Sequence, residues 1–478
     1  MNETPRPSFS LRDVLAQIRR RIPWLSVKPP LDRPEPADLK KDRVRAQADV
    51  IQQAFRKADL GAVAIAGPDG LRQTRDPAEG LFLFRPGVAL VRENTDARAY
   101  FEEFSEFFSR RDDLFEGRAP RRRDDEGLPD GMVLVDLPAR SDKADAVLMT
   151  LHDLDEDRRA RGLEDVVAQP DHVLYVTVVG RLCPGTEPEP PRGTDPLPPV
   201  NSDSGAGEGV SISVVDTGWW KTAASHPITK NWVSDVQADP EDEENLIGTT
   251  IHEYAGHGTF VAGVIQCLAP ASRVEVEGAL PNGGAVLESD ICRQLDQALH
   301  DDDLPSLISI SAGTHTRENL GLLGFEILMA KKGADDGVKT IVIAAAGNDE
   351  SDDEFYPAAY DWVIGVGSVD PDGKRSDFSN YGKWVNVYAR GRDLINAFCV
   401  GTYTCHYPEN MPNGVADVRK FDGLARWSGT SFATPMVTGA IAAHMSATGN
   451  LTDPMRAYNE LLQAAQTGPG GEKIIGPL

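Results

Sequence analysis

The stretch RWSGTSFATPMVTGA, residues 426–440, decides how the chain reads. Most of it is small and apolar and suits a helix, yet it opens on Ser428, Gly429, Thr430 and Ser431 and carries Pro435 just inside. Ser and Thr start helices, and proline is tolerated near a first turn, whose N–H groups lack helical acceptors anyway. Those unpaired N–H groups and the helix dipole favour negative charge, as a serine nucleophile requires of its surroundings. The expectation is Ser431 at an exposed helix start, with Gly429 permitting a tight entry. Ala433, Gly439, Ala440, Ala442 and Ala443 would let the helix lie close against a sheet. A buried small-residue helix with a Ser/Thr cap explains the helix equally well, so the choice rests on what accompanies it.

After Gly209 the segments VSISVVDTG, RVEVEGAL, LISISAG, TIVIAAAGN and WVIGVGSV are near-continuous apolar runs separated by helical ones. That pattern predicts an α/β fold, a mostly parallel sheet with helices on both faces. Chemistry in such sheets gathers at the carboxyl ends of strands. There Asp216 closes VVD, Ser311 closes LISIS and Asn348 closes AAAGN, although each alone is ordinary turn chemistry. In HEYAGHGTFVAGVI, residues 252–265, His252 and His257 are five apart with Gly256 between them, so they would not share a helix face as zinc ligands do. No metal is expected. A lone histidine is usually structural, but its small neighbours leave the His257 ring reachable.

Taken in order, VVDTG, GHGTFVAGVI, AAAGN and SGTSFATPMV resemble the signature blocks of subtilisin-like serine proteases, the subtilases, over about residues 210–465. The resemblance implies a serine endopeptidase with Ser431 as nucleophile, His257 as general base and then acid, and Asp216 orienting His257. It implies an oxyanion hole from the Asn348 side-chain amide and the Ser431 backbone N–H. Ser311, Ala312 and Gly313 match the edge strand that pairs with extended substrate. Ala345, Ala346 and Gly347 match the opposite wall of the first specificity pocket. Phe355 falls on that pocket's floor and would leave it shallow or capped by a ring. Asp349, Asp352, Asp353 and Glu354 would form an acidic rim that attracts basic substrate residues, or else a solvated loop. No cofactor is required for the chemistry. Calcium, which many relatives use, could bind DVQADPEDEEN, residues 235–245, but the segment lacks a spaced ligand pattern and reads as a solvated acidic loop. Residues 396–427 read as an extended hairpin near the site.

The domain plan is a charged segment over 1–80 with a helix around 41–58, an α+β domain over 81–182, an exposed Pro/Gly/Ser-rich linker over 183–208, the catalytic domain over 209–466 and a tail over 467–478. The α+β domain reads β-α-β-α-β, with LFLFRPGVALVR as strand, turn and strand, Thr95 capping the next helix, and HVLYVTVV last. By place and pattern it resembles a subtilase propeptide. It would lay its last strand along 311–313 as an intramolecular inhibitor until the chain is cut within about 180–208, or else persist as a regulatory domain. With 74 acidic against 49 basic residues the net charge is −25, which argues against nucleic acid or an anionic membrane as partner and leaves proteins or peptides. Neither a secretory leader nor a membrane span is evident. Five cysteines are too few for a disulfide scaffold: Cys183, Cys267 and Cys292 read as free thiols, and Cys399 and Cys405 as a reduced pair able to close a small loop. The expected setting is cytoplasmic. A catalytically silent subtilase-fold binding protein, and an esterase or peptide ligase using the same acyl-enzyme, stay open as alternatives.

Overall fold

The computed structural model describes residues 37–94, 98–124, 127–176, 186–244, 246, 248–281, 283–299, 304–334 and 340–477. Thr95 and Cys183 lie outside the described residues. Cys267, Cys292, Cys399 and Cys405 are buried free thiols.

The larger sheet runs, in spatial order, Gln466–Thr467, Lys473–Ile474, Val387–Arg390, Val363–Val369, Ile341–Ala345, Leu307–Ile310, Ser211–Val215 and Arg273–Glu277. Its pairings are parallel except the terminal hairpin. Alternate residues leave each strand toward opposite faces. Ile212, Val214 and Ile343 join the core under the helices His257–Leu268 and Thr430–Thr448. Val215, Ile308, Ile310 and Val342 join the core under Glu288–Ala298 and Leu323–Ala334. The expected α/β architecture is present, with two changes. Val387–Arg390 is an additional strand, and the sheet extends past residue 466, because the apolar Ile474 and Ile475 are buried beside it. The region 467–477 is therefore partly built into the sheet rather than a tail.

The smaller sheet has the order Arg121–Arg122, Met132–Asp136, Phe82–Arg92, Ala168–Tyr175, Ala285–Leu287, with Ala64–Ala66 also paired to Phe82–Arg92. Phe104, Phe107, Leu151 and Leu154 from Tyr100–Arg110 and Leu148–Ala160 fill one face. Val44, Ala48, Ile51 and Phe55 from Ala37–Lys57 fill the other. This domain thus includes residues upstream of 81, and the helix read around 41–58 belongs to it. LFLFRPGVALVR is a single bent strand rather than strand, turn and strand. Pro86 and Gly87, the latter at φ 73°, sit where the register shifts between Phe84 and Ala89, so they make a bulge that the partner strands bridge.

The two sheets are joined by shared chain. Ala285–Leu287 follows Arg273–Glu277 of the larger sheet but pairs antiparallel with Val173, Leu174 and Tyr175 of the smaller domain. Buried polar contacts reinforce the junction: Arg317 donates to Asp155 at 2.6 Å, Ser289 to Asp171 at 3.0 Å, and His172 Nδ1 lies 2.9 Å from Glu288 Oε2.

The span 186–208 is not an exposed linker throughout. Glu187 is 4% exposed, and Asn201 N–H donates to the Cys267 carbonyl at 2.7 Å. Its polar composition conceals this because its partners are polar too.

Candidate active site

Asp216 follows the strand Ser211–Val215, fully buried, and its Oδ1 accepts from the Thr217 N–H at 2.8 Å and lies 2.7 Å from His257 Nδ1. His257 is the first residue of its helix, and two glycines bring it there. Gly256 has φ 85°, and a Cβ on it would stand 2.8 Å from the Phe398 ring; one on Gly258 would stand 2.5 Å from the Gly218 carbonyl and 3.2 Å from Asp216 Cβ. The His257 ring is wedged against Trp427 and Phe432, with centroids 5.2 and 5.1 Å away. His252 lies before that helix, and among the described residues no group of three or more His, Cys, Asp or Glu could hold a metal ion.

Ser431 is the second residue of Thr430–Thr448, 3% exposed. Gly429 enters at φ 165°, extended backbone open to any residue, and a Cβ there would meet Asn348 Nδ2 only at 3.6 Å. The expected tight glycine entry is therefore not what positions Ser431. Pro435 lies in the second turn rather than the first, and it has another effect. Its missing N–H releases the Ser431 carbonyl, four residues earlier, from the helical ladder. That carbonyl accepts from Ser311 Oγ at 2.9 Å, tying the Ser431 backbone to the end of the strand Leu307–Ile310. Asn348 Oδ1 accepts from both the N–H and the hydroxyl of Thr430, each at 2.9 Å, which leaves its NH2 group as the free end of the amide.

The Ser431 hydroxyl is turned not to His257 but to the carbonyls of Ser311, at 3.2 Å, and Val176, at 3.3 Å. Val176 belongs to the smaller domain. Tyr175 exchanges both backbone hydrogen bonds with Gly313 at 3.1 Å, and Val176 N–H donates to the Gly284 carbonyl at 2.9 Å. An extended chain thus lies between 284–287 and 311–313 and reaches Ser431. A Cβ on Gly284 would stand 2.6 Å from Val176 Cγ2, so glycine is what admits the strand so closely.

Ala312, Ala345, Ala346 and Gly347 are buried. The buried Phe355 ring packs against two glycines: a Cβ on Gly313 would stand 2.4 Å from it, and one on Gly347 3.1 Å. The acidic rim is smaller than expected. Asp349 is fully buried, 3.4 Å from His315 Nε2 and 3.2 Å from Asn380 Nδ2, because it turns inward to these polar partners. In the acidic segment from 235, Asp235, Asp239 and Glu241 are exposed as expected, but two carboxylates turn inward. Asp242 accepts from the Gly278 N–H at 2.8 Å, and Glu244 from the Gly256 N–H at 2.9 Å and the Thr217 hydroxyl at 3.2 Å. Burial pushes Glu244 up to about 8, so it meets these donors mostly as a neutral acid. Glu244, the strand 284–287 and Trp427 were missed in the sequence; none carries a local motif, and only the folded sheet brings them to His257 and the cleft.

A model of the subtilase family matches residues 207–473. The chain is 32% identical over 254 residues to a thermophilic serine proteinase of Bacillus sp. (strain AK1), covering 49% of this chain and 51% of that one. It thus spans about half that relative's length. It is 29% identical over 302 residues to an intracellular serine protease of Paenibacillus polymyxa, covering 58% and 80%. Among solved structures, the prenylagaramide maturation protease PagA is 26% identical with a TM-score of 0.43, covering 56% of this chain and 87% of that one. No described helix is long and apolar enough to cross a membrane. Because the matched region is more than half of the 478 residues and contains Asp216, His257, Asn348 and Ser431, the chain belongs to the subtilase family.

Proposed function

We propose that the protein is a serine endopeptidase whose own N-terminal domain holds it latent. The observation that carries this reading is the stretch Tyr175–Val176, paired with Gly313 and Gly284, with the Val176 carbonyl 3.3 Å from Ser431 Oγ. When a scissile carbonyl takes this place, the hydroxyl swings from the Ser311 carbonyl to the imidazole. His257 takes the proton as Oγ bonds to the carbonyl carbon, and Asp216 stabilises the imidazolium. The Asn348 NH2 and the Ser431 N–H receive the oxyanion; a lost side-chain donor of this kind costs about 10²–10³ in kcat. His257 then gives its proton to the leaving amine, and water releases the acyl group by the same steps in reverse. The Phe355 ring favours small residues before the scissile bond.

The substrates are proteins or peptides, and the cytoplasm is the proposed setting; relatives in Paenibacillus polymyxa and Bacillus subtilis (strain 168) are named intracellular serine proteases. A permanently occupied, silent cleft is the second reading, favoured by the buried Arg317–Asp155 and His172–Glu288 contacts across the junction. Mass spectrometry of the wild type beside Ser431→Ala separates the two. The expected outcome is wild-type cleavage within about two residues of Val176, upstream of the 183–208 span, labelling of Ser431 by a fluorophosphonate, and an intact, unlabelled Ser431→Ala chain. A wild type that stays whole and unlabelled would establish the silent reading.

A further inference from the structure

A second stretch of the N-terminal region, Thr186 to Glu189, lies beside the residues that precede the Ser431 helix. Thr186 N–H donates to the Ser428 carbonyl at 3.2 Å, and Glu189 exchanges backbone hydrogen bonds with Arg426 at 2.9 and 2.7 Å. Residues 186–189 therefore add an antiparallel strand to Val418–Trp427, immediately before the nucleophile's helix. Val176 thus contacts Ser431 itself, while 186–189 lies against Arg426 to Ser428, just ahead of the Ser431 helix.

One side chain anchors this strand. The Glu187 carboxylate accepts from Tyr403 Oη at 3.0 Å, Asn410 Nδ2 at 2.6 Å, and the N–H groups of His406 at 2.7 Å and Tyr407 at 3.3 Å. Four donors converge on one carboxylate from the hairpin Leu394–Thr404/Val418–Trp427 and its connecting loop. Two residues on, Glu189 pairs with the Arg426 guanidinium, and Arg419 donates to the intervening Pro188 carbonyl at 2.8 Å. A set of neutral donors holding a buried carboxylate discriminates strongly against an amide, which would present its own N–H groups to them.

We propose that this notch is a leaving-side subsite for acidic residues, selecting protein substrates with an acid–any–acid pattern after the scissile bond, and that Glu187 occupies it as a tethered competitor. The proposal rests on the protease reading only for its biological use. A cut near Val176 leaves 186–189 attached to the catalytic domain, so the competitor outlasts the N-terminal domain. A tether of this kind presents its ligand at an effective concentration on the order of millimolar.

Binding tests the notch without catalysis. Fluorescent Thr-Glu-Pro-Glu-Pro, the sequence of residues 186–190, is titrated into the full chain carrying Ser431→Ala with and without Glu187→Ala. The expected result is binding to the Glu187→Ala chain at least about 10-fold tighter than to the chain retaining Glu187, and about 10-fold or more weakening when the first Glu of the peptide is Gln. Adding Tyr403→Phe or Asn410→Ala should weaken the Glu peptide and leave the Gln peptide unchanged. Equal binding of both peptides, or no gain from Glu187→Ala in a chain that melts normally, overturns the proposal. Should Glu187→Ala unfold the chain, Glu187→Gln replaces it with the same expectations. Fluorophosphonate labelling of the Ser431 chain reports separately on the protease reading.

Discussion

At the scale of single residues, several positions are fixed by what they exclude. Gly256 combines a left-handed φ of 85° with a ring 2.8 Å from any added Cβ, and its place directly before His257 couples that fit to the imidazole's position. Gly256→Ala should destabilise the chain by roughly 1–3 kcal/mol from backbone strain, with further loss from displaced Phe398, read as a lower urea midpoint. Phe355 acts by occupying space. Truncating it to Ala should raise kcat/KM for peptides with Leu or Phe before the scissile bond relative to Ala, at a cost of about 3–5 kcal/mol for the lost ring. An unchanged preference would place the first pocket elsewhere. Asp216, His257, Asn348 and Ser431 were readable because each sits in a short motif at the end of a strand or the start of a helix. Pro435 shows the limit of that legibility. The sequence suggests a first-turn position that it does not occupy, and the carbonyl it frees for Ser311 depends on a strand more than a hundred residues away.

Among the elements, the parallel strands and the β-α-β-α-β order were visible as apolar runs with the right spacing, and the hairpin over 396–427 as a Gly/Pro-rich excursion. The docking of 186–189 was not. Its composition is that of a solvated linker, and the donors that bury Glu187 lie 216–223 residues downstream. Polar segments buried by distant polar partners leave no periodic trace. Strand Ala285–Leu287 escaped for a related reason: three residues carry too little pattern to reveal which sheet they join.

Across the whole molecule, the junction between domains sets a pH response. Burial raises Glu288 and lowers His172, so the pair meets as neutral groups. Burial also lifts Glu244 to about 8 and Glu277 to about 7. Each raised carboxyl makes the folded chain bind more protons than the unfolded one between its ordinary value and the raised one, so their stabilisation is lost as pH rises through that window. His172 works oppositely, losing stabilisation as pH falls below its ordinary range. Stability of the Ser431→Ala chain should therefore be higher near pH 6 than near pH 8.5 in a thermal scan. Glu288→Gln, which keeps a neutral partner for His172, should lessen that fall; an identical fall in the variant would remove Glu288 as a contributor.

The strand shared between the domains also has a meaning in the time of synthesis. Ala168–Tyr175 is buried along its whole length, yet its partner Ala285–Leu287 lies about 110 residues later in the chain. At ~5–20 residues per second the ribosome needs on the order of ten seconds to supply it. During that interval the emerging N-terminal domain has an unpaired sheet edge, open to pairing with another nascent chain. The segment that completes that edge, 284–287, is also the one whose Gly284 carbonyl holds Val176 beside Ser431.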